Sequence, residues 1–205
     1  MVTSRYKSTF DRLLQPVARL LVRWHIAPSL VTLAGLVAVA LSCLWVLRTR
    51  RIVTFCVLVI LACLLDAVDG AVARASGRIT KFGSYLDAVC DRYAEGAVVL
   101  TVAAVTGYWW LSGVVLLGML LVSYSKARAA MEVPISNQEW PDLMERGERD
   151  VIFITGLALS QLVPWRPFDQ DLFWWTLAIL AVLLHLTVAQ RMLRARAFIR
   201  LRSRG

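Results

Sequence analysis

Two uncharged apolar runs, Ile52–Leu65 and Gly96–Val105, enclose a stretch that carries four aspartates: Asp66, Asp69, Asp87 and Asp91. Apolar runs of this kind suit lipid, where one acid near mid-membrane costs about 2.5–3.5 kcal/mol and four left alone would cost on the order of 10 kcal/mol. A chain that keeps four such acids has to offset that cost. Asp66, Asp69, Gly70, Ala73 and Arg74 recur three or four apart and share one helix face, as do Gly83, Asp87 and Asp91 on the next helix. The four carboxylates are therefore expected to face one another. With no His or Cys among them, they form an oxygen donor set suited to a hard divalent cation, Mg2+ or Mn2+ rather than zinc.

Composition agrees with a lipid setting. The 205 residues are 59% apolar with positive mean hydropathy, more than a soluble core of this size could bury. The net charge of +9 raises the question of nucleic acid. The basic residues gather at the ends of apolar segments instead of forming a stripe interleaved with aromatics, so membrane topology explains them and no nucleic-acid partner is expected. Cys43, Cys56, Cys63 and Cys90 lack metal or redox spacing and read as small buried apolar residues.

The pattern predicts an all-α integral membrane protein of six transmembrane helices plus an N-terminal amphipathic interfacial helix. Residues 4–24 place Phe10, Leu13, Leu14, Val17, Leu20 and Leu21 on one side, with Arg5, Lys7, Arg12, Arg19 and Arg23 mostly on the other. This helix should lie on the inner leaflet, with a kink at Pro16. Spans are expected at 28–47, 52–75, 82–107, 109–131, 148–164 and 172–195, followed by a basic tail at 196–205. All of 1–205 is then one membrane domain: a juxtamembrane helix at 4–24, a six-span bundle at 28–195 and the tail.

The start of the chain shows no signal-peptide pattern, so both termini and the acidic site are expected on the cytoplasmic side of the cell membrane. Of the 23 Lys and Arg, all but Arg48, Arg50, Arg51 and Arg166 then fall inside. Trp109, Trp110, Trp165, Trp174 and Trp175 fall at outer ends as an aromatic belt. Asp69 lies 18 residues after Arg51, and Asp91 lies 18 before Trp109. Both acids are thus about 27 Å from the outer face at 1.5 Å per residue, close to the inner surface.

Two divalent cations held by four acids at a membrane surface neutralise a diphosphate and polarise the phosphorus under attack, which makes phosphoryl transfer the natural chemistry. Gly70 and Gly83 would let a nucleotide or diphosphate approach the backbone, and Arg74 offers a fork-shaped donor. Asp91, at the edge of the site, is placed to accept a proton from an attacking hydroxyl.

These residues carry a resemblance. The stretch from Asp66 to Asp91 is similar to the CDP-alcohol phosphotransferase signature, D-x2-D-G-x2-A-R-x8-G-x3-D-x3-D, matching eight fixed residues over 26 positions. The resemblance implies a homodimer that transfers a substituted phosphate from a CDP-linked alcohol to the hydroxyl of a second alcohol, releasing CMP. It implies that Asp66 and Asp87 are ligands shared by two metal ions, that Asp69 binds the first, and that Asp91 binds the second and is the general base. Gly70, Arg74 and Thr80 resemble positions that hold the CDP moiety. Ser29-Leu30-Val31-Thr32 does so too, although the family pattern has Asn or Asp where this chain has Ser29. Capping of the helix after Pro28 is the other reading of Ser29 and Thr32.

A donor of the CDP-diacylglycerol type, or its ether analogue, is implied for a site opening at the bilayer surface. For the acceptor, Lys126 and Arg128 end the fourth predicted span and Arg146 and Arg149 open the fifth, a set of cations suited to a phosphorylated polyol or to positive-inside topology alone. These segments resemble those of phosphatidylinositol phosphate and archaetidylinositol phosphate synthases, with Arg191 completing the pocket. Inositol phosphate is thus the first expectation and glycerol phosphate, as in phosphatidylglycerophosphate synthases, the second. A cation transporter would leave Gly70, Ala73, Arg74 and Gly83 unexplained and would want acids reachable from both sides.

Overall fold

The computed structural model describes residues 15–77, 80–132, 143–144 and 146–202, all of them helix or short connection. The helices are α1 (15–23), α2 (Pro28–Thr49), α3 (Ile52–Ala75), α4 (Lys81–Thr106), α5 (Trp109–Glu132), α6 (Arg146–Ser160) and α7 (Leu172–Arg202), with a short 3-10 turn at Pro167–Asp169. The part of the predicted interfacial helix at 4–14 lies outside the described residues. Two compact units result, one ending at Thr101 and the other beginning at Val102.

In the first unit, α2 starts at Pro28, whose missing N–H is no loss in a first turn. It ends at Arg50, which adopts a left-handed φ of 56° while its N–H donates to the Val46 carbonyl at 2.8 Å. Only Arg50 and Arg51 separate α2 from α3, so the chain turns back at once and the two helices pack together. Val31, Val39, Cys43 and Val46 of α2 are buried, as are Phe55, Cys56, Val59 and Ala62 of α3. Leu33, Val37, Leu41 and Leu44 remain exposed, together with Val53, Val57, Ile60 and Leu61. Apolar side chains on the outside are what a hydrocarbon solvent requires. Cys63 is exposed on this surface, unlike the buried Cys43, Cys56 and Cys90, because its position on α3 turns away from the packed face.

α1 divides its apolar side chains between two neighbours. Ala18 is buried against Val31, Val68, Ala71 and Val72, with Leu21, Val22 and Ile26 beside it, whereas Val17, Leu20 and Trp24 are exposed. The single apolar side expected for this helix is therefore split. Leu21 seats on the protein, and Val17 and Leu20 are left for lipid.

In the second unit, α5 and α6 both pack on α7. Phe173, Leu177, Leu180 and Leu184 of α7 are fully buried there, and Phe173 meets Phe153 of α6 edge-on at 5.4 Å. α6 approaches α7 so closely at Gly156 that a Cβ would stand 2.4 Å from Thr176, a position only glycine tolerates. At the opposite end from the arginine-rich terminus, the Tyr108 hydroxyl donates to Asp171, which also caps α7 by accepting the Trp174 N–H at 2.8 Å. Burial and the Asp171 carboxylate push the Tyr108 phenol above its ordinary pKa.

Four helices, α2, α3, α5 and α7, are long and apolar enough to cross a membrane. α4 carries Lys81, Asp87, Asp91, Arg92 and Glu95, and no charge beyond Glu95. α6 has 15 residues and spans about 22 Å, less than a hydrocarbon layer of about 30 Å. The fifth predicted span, 148–164, stops at Ser160 because Pro164 cannot continue a helix and restricts the residue before it. α7 behaves in the opposite way. It runs on through the segment expected to be a tail, since no Gly or Pro interrupts Leu172–Arg202.

Candidate active site

α3 presents Asp66 and Asp69 one turn apart and α4 presents Asp87, so that one carboxylate oxygen from each lies within 4.8 Å of the other two. Asp69 is buried, whereas Asp66 and Asp87 are half-buried. Two unit charges of like sign at about 4 Å repel by roughly 4 kcal/mol at an effective dielectric near 20, so three in this space call for positive charge. Three carboxylate oxygens gathered this closely, with no nitrogen or sulfur among them, fit a hard divalent ion. Asp91 follows Asp87 by one turn of α4; it is buried, and near enough for its charge to act on Asp69, but it stands outside the trio.

The Thr32 hydroxyl of α2 donates to Asp69 Oδ2. This bond ties the start of α2 to the acidic trio and turns one Asp69 oxygen toward α2. Thr32 was legible in the sequence only as a possible cap or nucleotide contact.

A cavity of about 290 Å³ opens beside these acids, with Asp69 and Asp87 in its wall. Of the residues expected to hold a CDP moiety, Ser29, Thr32, Gly70, Thr80 and Gly83 line it. Leu30, Val31 and Arg74 do not. Leu30 is exposed away from it and Val31 is packed under α1, because on a helix only residues three apart, here Ser29 and Thr32, share that face. Thr80 caps α4 by accepting the Gly83 N–H at 2.9 Å, so its oxygen is already engaged with the helix. Phe82 and Ser84 also line the cavity and were missed, since adjacency to Gly83 is the only signal that marks them.

Gly70 of α3 also lines the cavity. A Cβ there would stand 3.3 Å from Arg74 NH1, so the Arg74 guanidinium folds back over the glycine. Gly70→Ala should therefore leave the fold intact, and even gain about 1 kcal/mol of helix propensity, while displacing Arg74. We expect an unchanged or raised melting temperature together with a rise of about tenfold in KM for a CDP-linked donor, the loss of one charge-assisted contact. An unaltered donor KM would remove Arg74 and Gly70 from the donor's surroundings.

The second unit contains the cations expected to meet an acceptor phosphate. Arg149 is fully buried, and its guanidinium donates to the Met119 carbonyl of α5 at 3.4 Å. Arg191, also buried, donates to the Val122 carbonyl three residues further along α5. Arg128 is half-exposed and paired with Glu132 at 2.6 Å, and Arg146 lies 3.7 Å from Asp150. Arg128 and Arg191 line one mostly apolar cavity of about 380 Å³, and Lys126, Arg146 and Arg149 are not part of its lining. Nothing in the pattern of charges distinguished the buried pair, Arg149 and Arg191, from the exposed ones.

Residues 25–189 match the family model described as CDP-alcohol phosphatidyltransferase. A phosphatidylinositol phosphate synthase from Mycobacterium tuberculosis is 31% identical over 200 residues, which cover 91% of this chain and 87% of that protein. Its crystal structure with CDP-DAG bound superposes with a TM-score of 0.77, at 31% identity over 90% of this chain and 94% of that one. A second crystal structure of the mycobacterial protein, in complex with manganese and citrate, also gives 0.77, at 30% identity over 89% of this chain and 88% of that one.

Proposed function

Because this chain belongs to the CDP-alcohol phosphatidyltransferase family, we propose that it transfers the phosphatidyl group of CDP-diacylglycerol to a hydroxyl of inositol phosphate and releases CMP. The observation that carries the proposal is the acidic trio, two of whose members, Asp69 and Asp87, stand in the wall of a cavity lined also by Ser29, Gly70 and Gly83. The mycobacterial relative's name and its CDP-DAG complex support the donor and acceptor classes.

In this reading Asp66 and Asp87 would be shared by two Mg2+ ions, or Mn2+ in their place, with Asp69 on the first and Asp91 on the second. The ions supply charge neutralisation for the diphosphate and an electron-poor phosphorus. The chain's own residues do the rest. Thr32 fixes the direction of Asp69, Gly70 admits the diphosphate close to the backbone, and Arg74 donates to a phosphate oxygen. Asp91 takes the proton of the acceptor hydroxyl as its oxygen bonds to the phosphatidyl phosphorus and the bond from that phosphorus to the CMP oxygen breaks.

We further take residues 1–205 as one catalytic membrane domain, a homodimer in the cell membrane with both termini and the site cytoplasmic. α4 and α6 would join the four longer helices as spans. Support for α4 comes from the acids themselves, since a metal-filled site removes most of the cost of carrying them near lipid. Support for α6 comes from its close contact with α7 at Gly156.

Arg149 and Arg191 are the cations we assign to the acceptor phosphate. Arg149→Ala is expected to raise KM for inositol phosphate about tenfold or more and to change KM for the donor by less than about twofold, while Arg128→Ala, at an exposed pair, changes both little. Equal effects of Arg149→Ala on both substrates would reduce Arg149 to a brace for α5.

The test of the whole proposal is CMP release by purified protein supplied with CDP-diacylglycerol and, in turn, inositol phosphate, free inositol, glycerol phosphate or serine. Turnover with inositol phosphate above all others is the expected result. Preference for glycerol phosphate would make the chain a phosphatidylglycerophosphate synthase, and turnover with none would overturn the donor assignment.

A further inference from the structure

α4 carries a second charged pair that the reaction above does not use. Arg92 follows Asp91 directly and Glu95 stands nearly one turn later. The Arg92 NH2 group meets Glu95 Oε1 at 2.9 Å but Asp91 Oδ2 only at 3.7 Å. The first distance is a charge-assisted hydrogen bond, and the second is an ion contact too long to be one. The side chains of Glu95 and Asp91 are 6% and 10% exposed and that of Arg92 is 28% exposed, so both acids are shielded while the guanidinium is partly open to solvent.

Without the Glu95 carboxylate, the Arg92 guanidinium would be left with Asp91 as its close acid. Arginine binds a carboxylate through two parallel N–H donors when nothing else holds it. An Asp91 held in that way would have its oxygens occupied by N–H groups, leaving less for a cation or for the proton of a hydroxyl. The pair also sums to zero charge, so Arg92 does not cancel any of the negative charge that the four aspartates offer a divalent ion.

We infer that Glu95 is a positioning residue that draws Arg92 off Asp91 and so keeps the acidic site open to its cation. The inference rests on the proposed reading of the aspartates as a divalent-metal site.

Direct Mn2+ binding to the full chain in detergent, followed by the electron paramagnetic resonance of free Mn2+, tests it without turnover. Glu95→Gln should weaken Mn2+ binding about tenfold, as loss of an outer hydrogen-bond partner does at metal sites. Adding Arg92→Gln to that variant should restore binding to within about twofold of the parent, because the released guanidinium is gone. A double variant as weak as Glu95→Gln, or a Glu95→Gln protein that binds as the parent does, overturns the inference. If Glu95→Gln does not survive purification, Glu95→Asp, one methylene short of Arg92, is compared with its own Arg92→Gln double in the same way. Asp87→Asn separates the two readings: if it, too, binds like the parent, or the parent binds no Mn2+, the metal site itself fails, whereas loss in Asp87→Asn alone leaves the site standing and removes only the role of Glu95.

Discussion

Replacing Asp91 with Asn is expected to cut CMP release by about 10²- to 10⁴-fold, the usual contribution of a positioned base. Asp91 is buried on α4 one turn beyond Asp87, and it is not among the three carboxylates whose oxygens lie within 4.8 Å of one another. Asn keeps the size and can still offer one oxygen to a cation, but it cannot take a proton. Binding of the CDP-linked lipid in the presence of Mg2+ should therefore change by no more than about threefold, so that the loss appears in kcat and not in KM. Measuring both constants for the variant settles the assignment. Undiminished turnover would reject Asp91 as the base, and a loss of donor binding equal to the loss of rate would make it a ligand only.

Removal of divalent ions should have an effect at least as large. Exhaustive chelation is expected to reduce turnover by more than about 10³-fold, since a cation contributes several kcal/mol of charge stabilisation and each 1.36 kcal/mol is a factor of ten. Mg2+ or Mn2+ should restore the parent protein but not Asp66→Ala, which opens the trio on the α3 side. Zn2+ should restore neither, because the oxygen-only donor set lacks the His and Cys ligands that zinc favours. Full activity after chelation would remove the chemical reason for gathering these acids.

The acidic site was legible because its spacing is helical and its surroundings are apolar. Asp66 and Asp69 stand three apart and Asp87 and Asp91 four apart, and in a lipid-facing sequence there are few charges to confuse with them. The side of a helix can be read from such steps, but the identity of the neighbour on that side cannot. That is why Thr32 could be placed near the site and yet its bond to Asp69 was unseen, and why Leu30 and Val31 were carried along with it although the helix turns them elsewhere. α1 illustrates the same limit. Its apolar residues were countable, but their division between Ala18 and Leu21 on the protein and Val17 and Leu20 outside depends on the groove offered by α2 and α3. Arg149 looked like any other cation near a helix start. Only packing puts its guanidinium wholly out of solvent against the Met119 carbonyl.

α7 runs unbroken for 31 residues, a rod of about 46 Å against a hydrocarbon layer of about 30 Å. Its aromatic start carries Trp174 and Trp175, which favour one headgroup region, and Arg191 sits 16 residues beyond Trp175 along the same axis. A thinner or thicker bilayer must then tilt or shift the rod as a whole and carry Arg191 with it. With Arg191 on the acceptor phosphate, as proposed, acceptor affinity should follow lipid chain length, which reconstitution in short- and long-chain vesicles would register as a change in acceptor KM. A flat response would mean that the helices around α7 absorb the mismatch instead.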